Sequence, residues 1–370
     1  MILGRWTFRL PPLEGELLSS CLARNAFAHG TTPQRFLELF WPRAAMWNRD
    51  FDRDPAALRR PGETGSDWVA EIAGRLGIPL ETVRRATLQE WRIMLGGARL
   101  PDRGDTPLLL SAGVHHRTRR LHSLQYCPDC LREPPAHYRR AWRLGFTVTC
   151  ERHGCALSDA CQNCGVPVIP HRTLARITDC HACGTSLTRA DRGGRVPDGV
   201  ARLQHGLTAL LDGVGRAQVG PWTDRHAFSG VRALLAVSAA RPVQQELRDT
   251  LGLEAAPSLP SAQRLRFEQS RVAVRIASLE TVAAWTEDWP TSFREGAGVA
   301  RLTQCSFARV RSNGLLAAEV ARLPDGIKRR RPAYVPVLDD PALRRLRRRD
   351  PSAYRLARAE RILSALRWPT

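Results

Sequence analysis

The chain has 370 residues with 43% apolar and 6% aromatic content, which suits two or three compact domains and excludes a disordered chain. Its formal charge of +20 rests almost wholly on arginine, Lys328 being the one lysine; codon bias accounts for the choice of Arg over Lys, but the excess of bases over acids points to an anionic partner such as nucleic acid. No apolar run nears the roughly 20 residues of a membrane span, and Pro11 and Pro12 interrupt the stretch a secretory signal would need, so a cytoplasmic chain with reduced cysteines and no membrane partner is expected.

The first sixty residues read as helical. In "GELLSSCLARNAFAHG", Leu17, Leu18, Cys21, Leu22 and Ala26 recur at helical spacing, and Gly30 and Pro33 close that helix and open another. "TTPQRFLELFWP" predicts a short helix packing through Phe36, Leu37, Leu39 and Phe40, and "RDPAALRRPGETGSDW" is a proline- and glycine-rich loop.

Residues 68–91, "WVAEIAGRLGIPLETVRRATLQEW", carry helix-turn-helix spacing. Ala73 is the small residue, Gly77 the turn and Val83 the buried apolar position, with Ile72, Leu76, Ile78 and Leu88 as core. Pro79 can open the second helix, from which Arg84 and Arg85 project as candidate DNA contacts. Such units also serve as protein docking surfaces. Trp68 and Trp91 read as core aromatics, and an irregular stretch from Gly96 to about Ser111 follows.

The cysteines then sort by spacing. Cys127-x2-Cys130 and Cys150-x2-His153 are separated by nineteen residues, and Cys161-x2-Cys164 and Cys180-x2-Cys183 by fifteen. Two ligands two residues apart in a tight turn can occupy adjacent corners of a tetrahedron, and a second such turn closes it, so the pattern predicts two zinc sites. Glycines 154, 165 and 184 suit the tight backbone beside the ligands. All corners are filled by protein, so the zinc would be structural. Short loop closure favours sequential pairing, although an interleaved pairing meets the same spacing, and redox or iron–sulfur chemistry uses the same residue types. Cys155 is a spare thiol near the first site, Cys21 and Cys305 are small core residues, and His181 faces solvent.

After Gly193 the chain turns helical again, through "VARLQHGLTALLDGV", "FSGVRALLAVSAA" and "RLRFEQSRVAVRIASLETVAAWTEDW". The fold class expected is mainly α and multidomain: an N-terminal helical domain (1–110) with the helix-turn-helix, a tandem zinc-finger, zinc-ribbon-like module (111–193), and a helical C-terminal domain (194–370) with a basic tail. From Arg322 to Thr370 fourteen bases face five acids. Arg329, Arg330, Arg331, Arg344, Arg345, Arg347, Arg348 and Arg349 are candidate phosphate-backbone contacts, a solvated helix face being the alternative. A phosphate-binding glycine loop is missing, and the acidic pair Asp339 and Asp340 reads as solvated, so no enzyme is expected.

"LPPLEGELLSSCLAR", "RLGIPLETVRRATL", "YCPDCL", "YRRAWRLGFTVTCERHGCAL", "CQNCG" and "CHACGTSL", in that order, resemble the TniQ/TnsD family of transposition target-selection proteins over roughly residues 8 to 190. Trp142 between the knuckles agrees with that family, whereas Cys21 stands where it often has tryptophan. The resemblance implies a non-catalytic adaptor that ties a DNA site or a CRISPR effector ribonucleoprotein to an AAA+ ATPase, which recruits the transposase; some members dimerise. It matches the eight cysteine and histidine ligands one for one. A free-standing helix-turn-helix transcriptional regulator is the alternative reading.

Overall fold

The computed structural model describes residues 4–41, 50, 52–53, 68–96, 106–110, 122–213, 217–239, 241–255, 266–308 and 314–326, with a few positions between 350 and 360. Two units divide the chain, Met1–Pro324 and Asp325–Thr370. In the second, the described residues at 352–353, 356–357 and 360 are helical. Among its described residues the first holds twelve α-helices and several short 3-10 turns, and β-structure is confined to isolated bridges.

Helix α1 (Leu18–Ala28) starts at Leu17, which has no capping oxygen. The backbone N–H of Ser19 is taken instead by Asp52 Oδ1 at 2.7 Å, from thirty-three residues away. Glu16, fully buried, accepts from Ser20 Oγ at 2.7 Å and from Arg24 at 2.6 Å, locking the entry to the helix. Helix α2 (Pro33–Phe40) starts on a Thr32 cap with Pro33 in the first turn. Phe36 and Leu37 are buried and Phe40 packs beside them, but Leu39 is 72% exposed. The stripe formed by positions 36, 37 and 40 leaves position 39 off its edge, so Leu39 is not the packing residue its spacing predicts.

Helices α3 (Trp68–Leu76) and α4 (Leu80–Arg85) pack on each other across a turn in which Gly77 has φ +69°. Helix α4 ends after Arg85 because Ala86 and Thr87 turn the chain and the Leu88 N–H goes to Asp52 C=O at 2.7 Å; α5 (Gln89–Gly96) then starts afresh. Ile72, Ala73, Leu76 and Val83 join Trp6, Leu18, Leu22 and Phe36 in a small core. Leu88 and Trp91 belong to a larger one, with Leu17 and Ala23. Helix α1 thus divides its apolar faces between two cores.

The larger core does not stop at the cysteine block. It runs from Leu17 through Tyr126, Trp142 and Phe146 to Val200, Leu234, Trp285 and Val320, across residues 110 and 193. Helix α6 (Pro128–Arg132) lies inside the block; α7 (Asp198–Asp212), α8 (His226–Ser238), α9 (Arg241–Thr250), α10 (Val272–Glu287), α11 (Thr291–Val299) and α12 (Leu315–Val320) follow it. Helix α10 packs against α7, α8, α9 and α11. Cys21 is buried as expected, whereas Cys305 is half-buried, because its 3-10 turn points Phe307 inward instead. Among the described residues no helix is long and apolar enough to cross a membrane.

Candidate metal centres

Three of the four knuckles share one local geometry. The N–H of the first cysteine bonds the carbonyl five residues on, at 2.8 Å for Cys150 to Cys155, 2.9 Å for Cys161 to Val166 and 2.9 Å for Cys180 to Thr185. The glycine four residues on returns its N–H to the cysteine carbonyl, and Gly154, Gly165 and Gly184 stand at φ +62°, +70° and +70°. Left-handed backbone at that position is what glycine supplies without a Cβ penalty. The fourth knuckle differs: Leu131 stands at the glycine position and Pro128 opens α6, so Cys127 and Cys130 are presented by a helical turn, with Leu131 N–H on Cys127 C=O at 3.1 Å.

The fold brings the eight donors together as two clusters in sequential pairing, Cys127, Cys130, Cys150 and His153, then Cys161, Cys164, Cys180 and Cys183. In the first, His153 Nδ1 lies 3.4, 3.3 and 3.5 Å from the sulfurs of Cys127, Cys130 and Cys150, and the Cys130 and Cys150 sulfurs are 3.6 Å apart. In the second, Cys161 and Cys183 are 3.7 Å apart and Cys164 and Cys180 3.6 Å. A tetrahedron with Zn–S near 2.3 Å and Zn–N near 2.0 Å has edges of about 3.5 to 3.8 Å, so both donor sets fit zinc.

The surroundings of the two clusters differ. His153 turns its Nε2 to Glu133 Oε1 at 3.1 Å, the carboxylate that orients an imidazole for metal through its other nitrogen. Arg152 holds the same carboxylate at 2.7 Å. Glu133 lies three residues past Cys130, a signal that spacing arguments over cysteine and histidine alone pass over. Cys155, buried, sits 3.7 Å from Cys127 Sγ, so the spare thiol does lie beside the first cluster. In the second cluster Cys161 and Cys180 are buried but Cys164 and Cys183 are exposed, and His181 is half-buried.

Helices from both sides of the block grip it. Gln204 on α7 accepts from Val148 and Thr149 N–H at 2.8 and 3.0 Å and donates to Thr149 C=O at 3.0 Å. Asp159, between the clusters, caps α10. On the N-terminal side Leu17 N–H bonds Tyr138 C=O at 2.9 Å, and Ser20 Oγ accepts from Tyr138 N–H at 2.9 Å.

Of the candidate nucleic-acid contacts, Arg84 and Arg85 lie exposed on α4. Arg85 Nε is 3.5 Å from Glu81 Oε1, one turn back, and its carbonyl accepts from Arg140, whose guanidinium lies 4.1 Å over the Trp91 ring. Arg329, Arg330, Arg331, Arg344, Arg345, Arg347, Arg348 and Arg349 lie outside the described residues.

Residues 7–157 match the TniQ family model. The chain carries a TniQ domain. That domain spans α1 to α6 and the first cysteine–histidine cluster complete, and it ends before Cys161, so the second cluster and α7 to α12 lie beyond the matched segment. No curated protein matches the chain. TniQ domains are associated with transposition, and the family is generally non-catalytic.

Proposed function

We propose that this TniQ-domain protein is a non-catalytic target-selection adaptor of a transposition system, which joins target DNA or an RNA-guided effector complex to an AAA+ ATPase and, through it, to the transposase. The observation that carries this reading is the TniQ match over residues 7–157, a segment whose own helices and first cluster share one core with the helices beyond it. Both clusters are read as structural zinc sites. Each donor set is complete at four, which leaves no corner for a substrate, and zinc would supply cross-links in a block built of turns rather than regular elements. Zinc bound there would hold the knuckles closed, and the chain's own residues make the macromolecular contacts.

In this reading the α3–α4 pair is the DNA-facing unit, with Arg84 and Arg85 on its outer side and the arginine-rich segment from Arg329 to Arg349 as a second, sequence-independent contact. The charge of +20 favours a polyanionic target over an acidic small molecule. Co-expression with a candidate AAA+ transposition ATPase tests the reading. A stoichiometric complex on co-purification is the expected result. A chain that binds duplex DNA and never retains the ATPase would instead be a free-standing regulator.

A further inference from the structure

The N-terminal arm of residues 4–10 has neither helix nor strand, yet three ties hold it to the protein. Trp6 N–H donates to Arg75 C=O at 2.9 Å, and its buried ring meets Phe36 edge-on at 4.8 Å. Phe8 N–H donates to His29 Nε2 at 3.2 Å, and His29 Nδ1 in turn bonds Asn25 C=O at 2.7 Å. The Asn25 side chain clamps Leu10, accepting from its N–H at 3.0 Å and donating to its C=O at 2.8 Å. Between these ties the arm bends at Thr7 and Phe8.

The bend directs two arginines to one place. Arg5 Nε and Arg9 Nη1 each come to 3.4 Å from the point where a Cβ would stand on Gly77, the turn between α3 and α4. Both residues are exposed, and neither has an ion-pair or hydrogen-bond partner for its side chain among the described residues. Two guanidiniums converging without a carboxylate repel each other. The carbonyl end of α3 offsets part of that repulsion, since a helix C-terminus attracts cations. What remains is a pair of cations, fixed by the arm's backbone ties and open to solvent.

We propose that Arg5 and Arg9 form a phosphate clamp for duplex DNA over the α3–α4 turn, seating the helix pair on the sugar–phosphate backbone. The clamp rests on reading that pair as the DNA-facing unit. Guanidinium forks suit phosphate oxygens, and contacts of this kind set position without reading sequence. Glycine at 77 keeps the approach clear, because any side chain there would stand between the two forks and would have to adopt φ +69°.

The test uses the full chain purified with zinc and a random-sequence duplex of about 30 base pairs, followed by fluorescence anisotropy across a salt series. The Arg5→Gln/Arg9→Gln variant is expected to bind about tenfold more weakly near 0.1 M salt, with the log–log salt slope reduced by about 1 to 2. Arg225→Gln/Arg232→Gln, which removes the same charge at α8, should leave the slope near the wild-type value. Should Gln substitution disturb the fold, Arg5→Lys/Arg9→Lys keeps the charges and should retain the slope with intermediate affinity. Unchanged binding and slope in the Gln variant, an equal loss in the α8 control, a loss confined to duplex RNA, or no duplex DNA binding by the wild type would each overturn the clamp. Co-purification of an AAA+ ATPase, measured on the same variants, should be unaffected, so that loss of the ATPase by the wild type counts against the adaptor reading, while the DNA measurements alone decide the clamp.

Discussion

Asp159, set between the two cysteine clusters, caps the helix that begins at Val272: its Oδ2 accepts the Val272 N–H at 2.7 Å, and its Oδ1 holds Arg271 Nε at 2.9 Å. The first turn of α10 thus takes its capping oxygen from the metal block rather than from its own flanking sequence, whose N-cap residue is Arg271. Replacing Asp159 by Ala leaves the half-buried Val272 N–H without its acceptor and should cost about 1 to 2 kcal/mol, with Asn recovering part of it. Thermal unfolding of the two variants beside the wild type checks this, and equal melting temperatures for all three would contradict it.

Glu133 orients His153, so Glu133→Gln should lower the affinity of the first site for zinc by about tenfold while leaving the second unchanged. Competition with a chromophoric chelator separates the two sites. Two zinc ions per chain are expected, and the second site should lose its ion first, because Cys164 and Cys183 are exposed while the first site's ligands are buried or half-buried. Release of both ions in one phase, or fewer than two per chain, would be incompatible with this arrangement.

Asp52 introduces a pH dependence. Burial pushes its carboxyl up to about 6, against the pull of the Arg143 guanidinium 3.6 Å away. The folded chain therefore binds this proton more tightly than the unfolded one, and the stabilisation it brings is complete below about pH 4 and lost as pH rises through about 6. Asp52→Asn keeps an acceptor for the Ser19 N–H and should flatten that slope. Denaturant midpoints at pH 4.5 and 7 for both chains decide the matter; the same slope in each would exclude Asp52 as its source.

Gly230, inside α8, sets helix propensity against packing. Alanine in a helix interior ordinarily gains about 1 kcal/mol over glycine. Here the added Cβ would stand 2.3 Å from Trp222 Cζ2, on a ring that is itself buried. Overpacking of that kind costs about 1 to 3 kcal/mol, so Gly230→Ala should destabilise the chain, and a raised melting temperature would show that the ring gives way.

Much of the candidate site was legible in residue order because its determinants are local. Ligand spacing and the following glycines 154, 165 and 184 specify the knuckles, since a hydrogen-bonded turn of five or six residues needs no distant partner. Helices α1 to α4 could be placed by apolar period, by Pro33 and by Gly77. Leu39 went astray because a period shows which side of a helix is apolar without showing how wide a face its neighbours cover, and Cys305 because an apolar residue type alone does not say which side of its turn faces the core.

Sequence by itself determined the two cysteine-rich donor sets, the helical class and the TniQ resemblance, all carried by residues close together along the chain. Only the tertiary structure decided that Asp52 and Asp159 would supply first-turn capping oxygens for α1 and α10, that Gln204 would hold the backbone leading into the Cys150–His153 knuckle, and that Arg5 and Arg9 would meet over Gly77. A lone carboxylate or guanidinium carries no mark of its partner in the one-dimensional text. Its role arises when folding places an unpaired backbone group, or a second charge, within reach.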